Sequence, residues 1–113
     1  MKIAYPLIVI LGVASLLAVG TPAHAADEPT FPIEFKDGTL TPTRVEVPAK
    51  TRFRLELKNS GKTPAEFESN ELKKEKVLAP GTTSSLIIRS LDPGEYNFFD
   101  DFHQQARGVI VAK

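Results

Sequence analysis

The sequence predicts an all-β domain, a sandwich or small barrel of seven or eight short strands. Apolar and polar residues alternate with a two-residue period in several short stretches. Turn-forming residues separate these stretches at a spacing of about ten residues, as in sandwiches and barrels. No heptad pattern, internal repeat or low-complexity tract competes with that reading.

The first segment has another purpose. Lys2 precedes an apolar run from Ile3 to Val19, and Ala23-His24-Ala25 is a small-x-small cleavage box. This reads as a secretory signal peptide over residues 1–25, which places the mature protein in the periplasm. The alternative is an uncleaved membrane anchor, against which Pro22 and the cleavage box argue. No cysteine is present, so there is no lipobox, no disulfide and no thiolate chemistry. Residues 26–30 are expected to form a mobile leader, and residues 31–113 a single domain with a thin core.

The strands follow in order. Phe31, Ile33 and Phe35 alternate with Pro32, Glu34 and Lys36, and Asp37-Gly38 makes a turn. Val45 and Val47 form a short strand before Pro48-Ala49-Lys50. Phe53, Leu55 and Leu57 point one way, while Arg54, Glu56 and Lys58 point the other, which gives one core face and one wet face. After the turn Asn59 to Lys62, Ala65, Phe67 and Ser69 alternate with Glu66 and Glu68. The charged run Asn70 to Lys76 reads as irregular or as an edge strand guarded by lysines. Ser84 to Ile88 is a strand and Asp92-Pro93-Gly94 a turn. Tyr96 and Phe98 open a strand, and Gly108 to Val111 close the domain. The residues between them, with Asp100, Asp101, His103, Gln104 and Gln105, are expected to form a polar loop.

Charge excludes several functions. Without the signal peptide the chain carries 14 acidic residues against the 14 basic residues less Lys2, close to neutrality. There is no basic excess for nucleic acid and no basic amphipathic helix for a membrane surface. No Gly-rich phosphate loop occurs, and no serine shows an evident triad pattern.

The polar loop is the expected functional site, because binding residues concentrate in loops held by rigid strands. Asp100 and His103 can both ligate a metal, and Glu66 offers another carboxylate. A mixed carboxylate and imidazole set suits iron, Cu(II), Mn(II) or Zn(II). Glu68 and Asp101 are further candidates, and Glu71 or Glu75 would enlarge the set. The bland alternatives are a solvated histidine, turn-capping aspartates and a wet strand face.

The motifs Val47-Pro48-Ala49-Lys50-Thr51, Leu57 to Pro64, Ala79-Pro80-Gly81, Pro93 to Phe98 and Gly108 to Val111 occur in an order that resembles the cupredoxins. The resemblance implies a Greek-key β-sandwich with copper at one end. It also shows a departure. The ligand positions of the blue-copper site fall at Ala65, Asp100, His103 and close to Ala106, so His103 alone is kept. A blue site needs a thiolate and two imidazoles, which this chain lacks. Ala65-Glu66-Phe67-Glu68, the run Glu75 to Gly81 and the Tyr96 loop resemble the cupredoxin domain of EfeO-type proteins and the periplasmic cupredoxins of Ftr-type iron-uptake systems. That likeness implies a role in bacterial iron uptake, with bound iron and/or copper and Glu66 helping to replace the lost ligands. It further implies assistance to Fe(II) oxidation, and a membrane iron permease or periplasmic iron-binding protein as partner. A metal-free module that docks onto a transport partner, with Phe99 and Phe102 as contacts, and a Cu(II) carrier are the competing expectations.

Overall fold

The computed structural model describes residues 2–4, 12 and 28–113. Most of the expected signal peptide, and Ala26 and Asp27 of the expected leader, lie outside the described residues. The rest of that leader is tied to the domain. Pro29 O accepts a hydrogen bond from Arg54 N at 2.9 Å, Glu28 pairs with Arg52, and the first strand opens at Thr30.

Nine strands form two mixed sheets, and the described residues contain no helix. One sheet has the order β2 (Thr39–Thr41), β1 (Thr30–Lys36), β4 (Phe53–Asn59), β7 (Thr83–Ile88). The other has the order β3 (Arg44–Val47), β9 (His103–Ala112), β8 (Gly94–Asp100), β5 (Ala65–Ser69), β6 (Lys74–Leu78). The pairs β1–β4 and β3–β9 run parallel, and the others run antiparallel.

The core lies between the sheets and is built by the alternation of each strand. Ile33, Phe35, Phe53, Leu55 and Leu57 of one sheet meet Phe67, Phe98, Leu78 and Ile110 of the other, all essentially inaccessible to water. Phe67 and Phe98 stack with centroids 5.4 Å apart. Burying each large apolar side chain contributes roughly 1.5–3 kcal/mol.

Two turns position the site. Asp37 (φ 44°) and Gly38 (φ 88°) are both left-handed, and Lys36 pairs with Thr39 across them. This is the two-residue Asp-Gly hairpin whose twist matches the strands. At the same end of the sandwich, Asp100 pairs with His103 across Asp101-Phe102. The expected long polar loop is therefore a two-residue turn, with Gln104 to Arg107 already in β9. Those residues read as loop because their strand is largely exposed there.

The charged run is half strand. Asn70 to Lys73 make a turn, and β6 is the edge of its sheet. Lys74 and Lys76 lie on the same side of β6 as buried Leu78. Inward-pointing lysines are a known guard against edge-to-edge pairing.

Candidate metal centre

The alternation of β5 sends Ala65, Phe67 and Ser69 into the core and Glu66 and Glu68 outward. On β6, Val77 stands opposite Glu66, and Glu75 stands opposite Glu68. The β8–β9 turn then brings Asp101 over the same outer face, where Asp101 N donates to Glu66 O at 2.9 Å. Glu66, Glu68 and Asp101 each offer an oxygen, and these atoms lie within 4.8 Å of one another. Partial burial pushes the Glu66 carboxyl above its ordinary range, with Asp101 as the next cause, followed by Glu75 and Glu68. Glu68 is pushed up in the same way, by burial first and Asp101 second. Like charges gathered at a half-buried corner disfavour one another's ionised form.

Asp100 and His103 go elsewhere. Asp100 is 1% exposed. Its Oδ1 accepts from Glu66 N at 3.0 Å and from Phe102 N at 3.0 Å. His103 Nδ1 donates to its Oδ2 at 2.9 Å. His103 Nε2 lies 3.4 Å from Thr63 Oγ1. Thr63 Oγ1 in turn donates to Asp37 Oδ1 at 2.9 Å, and Lys62 N and Thr63 N donate to the same oxygen. The Lys62 amide, followed by the Thr63 hydroxyl and amide, holds the Asp37 carboxyl below its usual range.

Of the five expected site residues, the structure brings together Glu66, Glu68 and Asp101 on the outer face. Asp100 and His103 form a separate pair beneath the turn. The cause is local: one carboxylate in the Asp100-Asp101 step turns inward to cap backbone amides, and the next turns outward. Glu71 belongs to neither group. It accepts from Asn97 N at 3.1 Å and from Asn97 Nδ2 at 2.9 Å, where β5 has ended and β8 would otherwise lack a partner. Phe99 is half-covered by Arg107, whose guanidinium carbon sits 5.1 Å from the ring centroid, and Phe102 is exposed. Sequence reasoning missed Asp37 and Thr63, which read only as turn residues. The available signal was the left-handed Asp-Gly pair, which leaves the Asp37 carboxylate free to gather donors from a neighbouring loop.

Residues 7–112 match the family model of the cupredoxin-like domain. The chain belongs to the cupredoxin-like family. A protein of Rickettsia prowazekii (strain Madrid E), the uncharacterized protein RP394, is 42% identical over 80 residues, which cover 70% of this chain and 64% of that one. The chain thus spans somewhat less than two thirds of that relative's length. Among solved structures, dithionite-reduced auracyanin from Roseiflexus castenholzii superposes with a TM-score of 0.65 at 14% identity, covering 76% of this chain and 98% of the other. A purple cupredoxin from Nitrosopumilus maritimus gives 0.56 at 18% identity, covering 73% and 98%. Auracyanin A from Chloroflexus aurantiacus, described as a blue copper protein, gives 0.63 at 11% identity, covering 74% and 98%. At these identities the superpositions show the shared fold.

This cupredoxin-like domain does not fit a blue-copper ion. Ala65 and Ala106 are buried and offer no donor atom. Asp100 has hydrogen bonds on both oxygens, and the chain has no sulfur ligand other than Met1. The outer-face carboxylates offer a different donor set. Three hard oxygens suit iron, Mn(II) or Cu(II) better than Cu(I).

Proposed function

We propose that this cupredoxin-like domain binds iron, with Cu(II) as a competing ion, through Glu66, Glu68 and Asp101, and that it serves bacterial iron uptake in the periplasm. The observation that carries this reading is the convergence of three carboxylate oxygens within 4.8 Å. An anionic oxygen set favours Fe(III) over Fe(II), because ligand charge offsets the higher metal charge. Binding the ferric ion more tightly eases the loss of one electron from Fe(II) to an external acceptor. A membrane iron permease or a periplasmic iron-binding protein is the partner such a role requires.

Titration of the metal-free protein with Fe(II) under anaerobic conditions, and with Fe(III) supplied as a weak chelate, tests the proposal. Binding tighter than about 1 mM, worth roughly 4 kcal/mol, is expected, with loss of that binding in Glu66→Gln/Glu68→Gln/Asp101→Asn. Wild-type protein that takes up neither ion at that level rejects it.

A second reading rests on Phe102 and Val77, which are 50% and 56% exposed; Phe102 follows Asp101 in the chain, and Val77 stands opposite Glu66. Two bare apolar side chains beside an acidic corner suit a metal-free contact surface for a transport partner. Phe102→Ser would then abolish partner binding, while the charge-removing triple variant would leave the apolar contact in place.

A further inference from the structure

We infer that the turn end of the sandwich, where the family's fold would hold copper, is closed in this chain by a metal-free hydrogen-bonded cap. In this cap Asp100 and His103 are braces and not cation ligands. The cap holds Glu66 by its backbone amide and uses none of the outer-face carboxylate groups, so it does not depend on whether those bind iron.

Asp100 ties three elements with one side chain. Its Oδ1 holds the Glu66 amide of β5 and the Phe102 amide of the turn, and its Oδ2 holds the first residue of β9 through the His103 ring. The bond to the amide two residues on is an Asx turn, which fixes the hairpin without help from a metal. Asp37 does the matching work on the other sheet, fastening Lys62 and Thr63 to the β1–β2 hairpin. The two halves meet where His103 Nε2 lies 3.4 Å from Thr63 Oγ1, a packing contact and not a hydrogen bond, since the hydroxyl proton goes to Asp37.

The remaining positions offer few donor atoms to an ion. His103 has one ring nitrogen committed to Asp100, and the other faces the Thr63 hydroxyl. Its ring is packed against Gly38, where an added Cβ would come within 3.3 Å of His103 Cδ2 and 3.1 Å of Gln105 Nε2. Ala65 and Ala106 bring buried methyl groups to the same end. A buried carboxylate already holding three hydrogen bonds gains little from a cation that would have to displace them.

Two measurements on the chelator-treated protein test the cap. The first is amide hydrogen exchange without metal. The Glu66, Phe102, Lys62 and Thr63 amides are expected to exchange slowly, and exchange at the rate of open loops until metal is added would overturn the inference. The second is Cu(II) loading followed by electron paramagnetic resonance, for wild type and His103→Gln. Matching spectra and affinities are expected. Nitrogen superhyperfine lines that vanish in His103→Gln, or an affinity drop of about tenfold or more, would overturn it. Failure of wild type to take up Cu(II) at all supports the cap while counting against the Cu(II) part of the functional reading, so the two ideas fail separately.

Discussion

Glu68 and Glu75 stand directly opposite each other in the β5–β6 ladder, two like charges in register on one face. Opposed like charges weaken a sheet, and Glu66 and Asp101 crowd the same corner. That crowding costs the fold stability at this corner.

Glu68→Gln is therefore expected to raise the melting temperature at neutral pH. The pH dependence follows from the upward shift of Glu68. A carboxyl whose pKa is higher folded than unfolded holds its proton more readily in the folded state. Its contribution is fully present below the unfolded value and is lost as pH rises through the folded one. The gap between variant and wild type should thus be widest at neutral pH and close toward about pH 4. Thermal melts of both proteins across that range check it, and a gap that persists in acid rejects the repulsion argument.

Asp37 has the opposite sign. Its carboxyl is held below the usual range by the Lys62 amide first, then by the Thr63 hydroxyl and amide. Such a group stabilises the fold above its unfolded pKa, and that contribution disappears as pH falls through the folded value. Asparagine tolerates the left-handed backbone at this position, so Asp37→Asn isolates the charge. The variant should melt lower than wild type at neutral pH, and the two should converge below about pH 4.

Much of this fold was legible because β1, β4 and β5 each have a wet face and a dry face, so Ile33/Phe35, Phe53/Leu55/Leu57 and Ala65/Phe67 announce themselves. β2 did not, since Thr39-Leu40-Thr41 has a single apolar residue to display a period. The first half of β9 was hidden for a related reason: Gln104, Gln105 and Arg107 are exposed, and only Ala106 marks the inner face. For the site, the right residue types were visible but not their directions. Asp100 and Asp101 are the same amino acid in adjacent positions, and only the turn between β8 and β9 decides which one is buried. The link between Asp37 and Thr63 spans two loops of different strand pairs, which no local pattern reveals.

Close packing across the β8–β9 pair gives a third prediction. Gly108 stands opposite Phe98, and a Cβ built there would lie 2.8 Å from Phe98 Cε1. The Phe98 ring is buried and stacked on Phe67, so it has little freedom to retreat. Gly108→Ala should cost about 1–3 kcal/mol, the usual penalty for overpacking. Chemical denaturation should show this as a lower midpoint with an unchanged slope.

Asn59 offers the sharpest test of how the turn end is built. It is fully buried at the end of β4. Its Nδ2 donates to Thr63 O and Leu78 O, each at 2.9 Å, and its Oδ1 accepts from Gly61 N at 3.0 Å. Asn59→Ala strands these partners, and at about 1 kcal/mol or more for each should cost roughly 3 kcal/mol. Asn59→Asp keeps the shape but turns two donated bonds into repulsion between a carboxylate and two carbonyl oxygens. It should be worse than Asn59→Ala at neutral pH. Burial and those carbonyls would raise the new carboxyl's pKa in the folded state, so the penalty must grow as pH rises and shrink in acid, where a protonated carboxyl can donate one bond again. Urea unfolding of both variants at acid and neutral pH reads this directly. An Asn59→Asp protein as stable as wild type at neutral pH would mean that the two carbonyls are not held against the side chain.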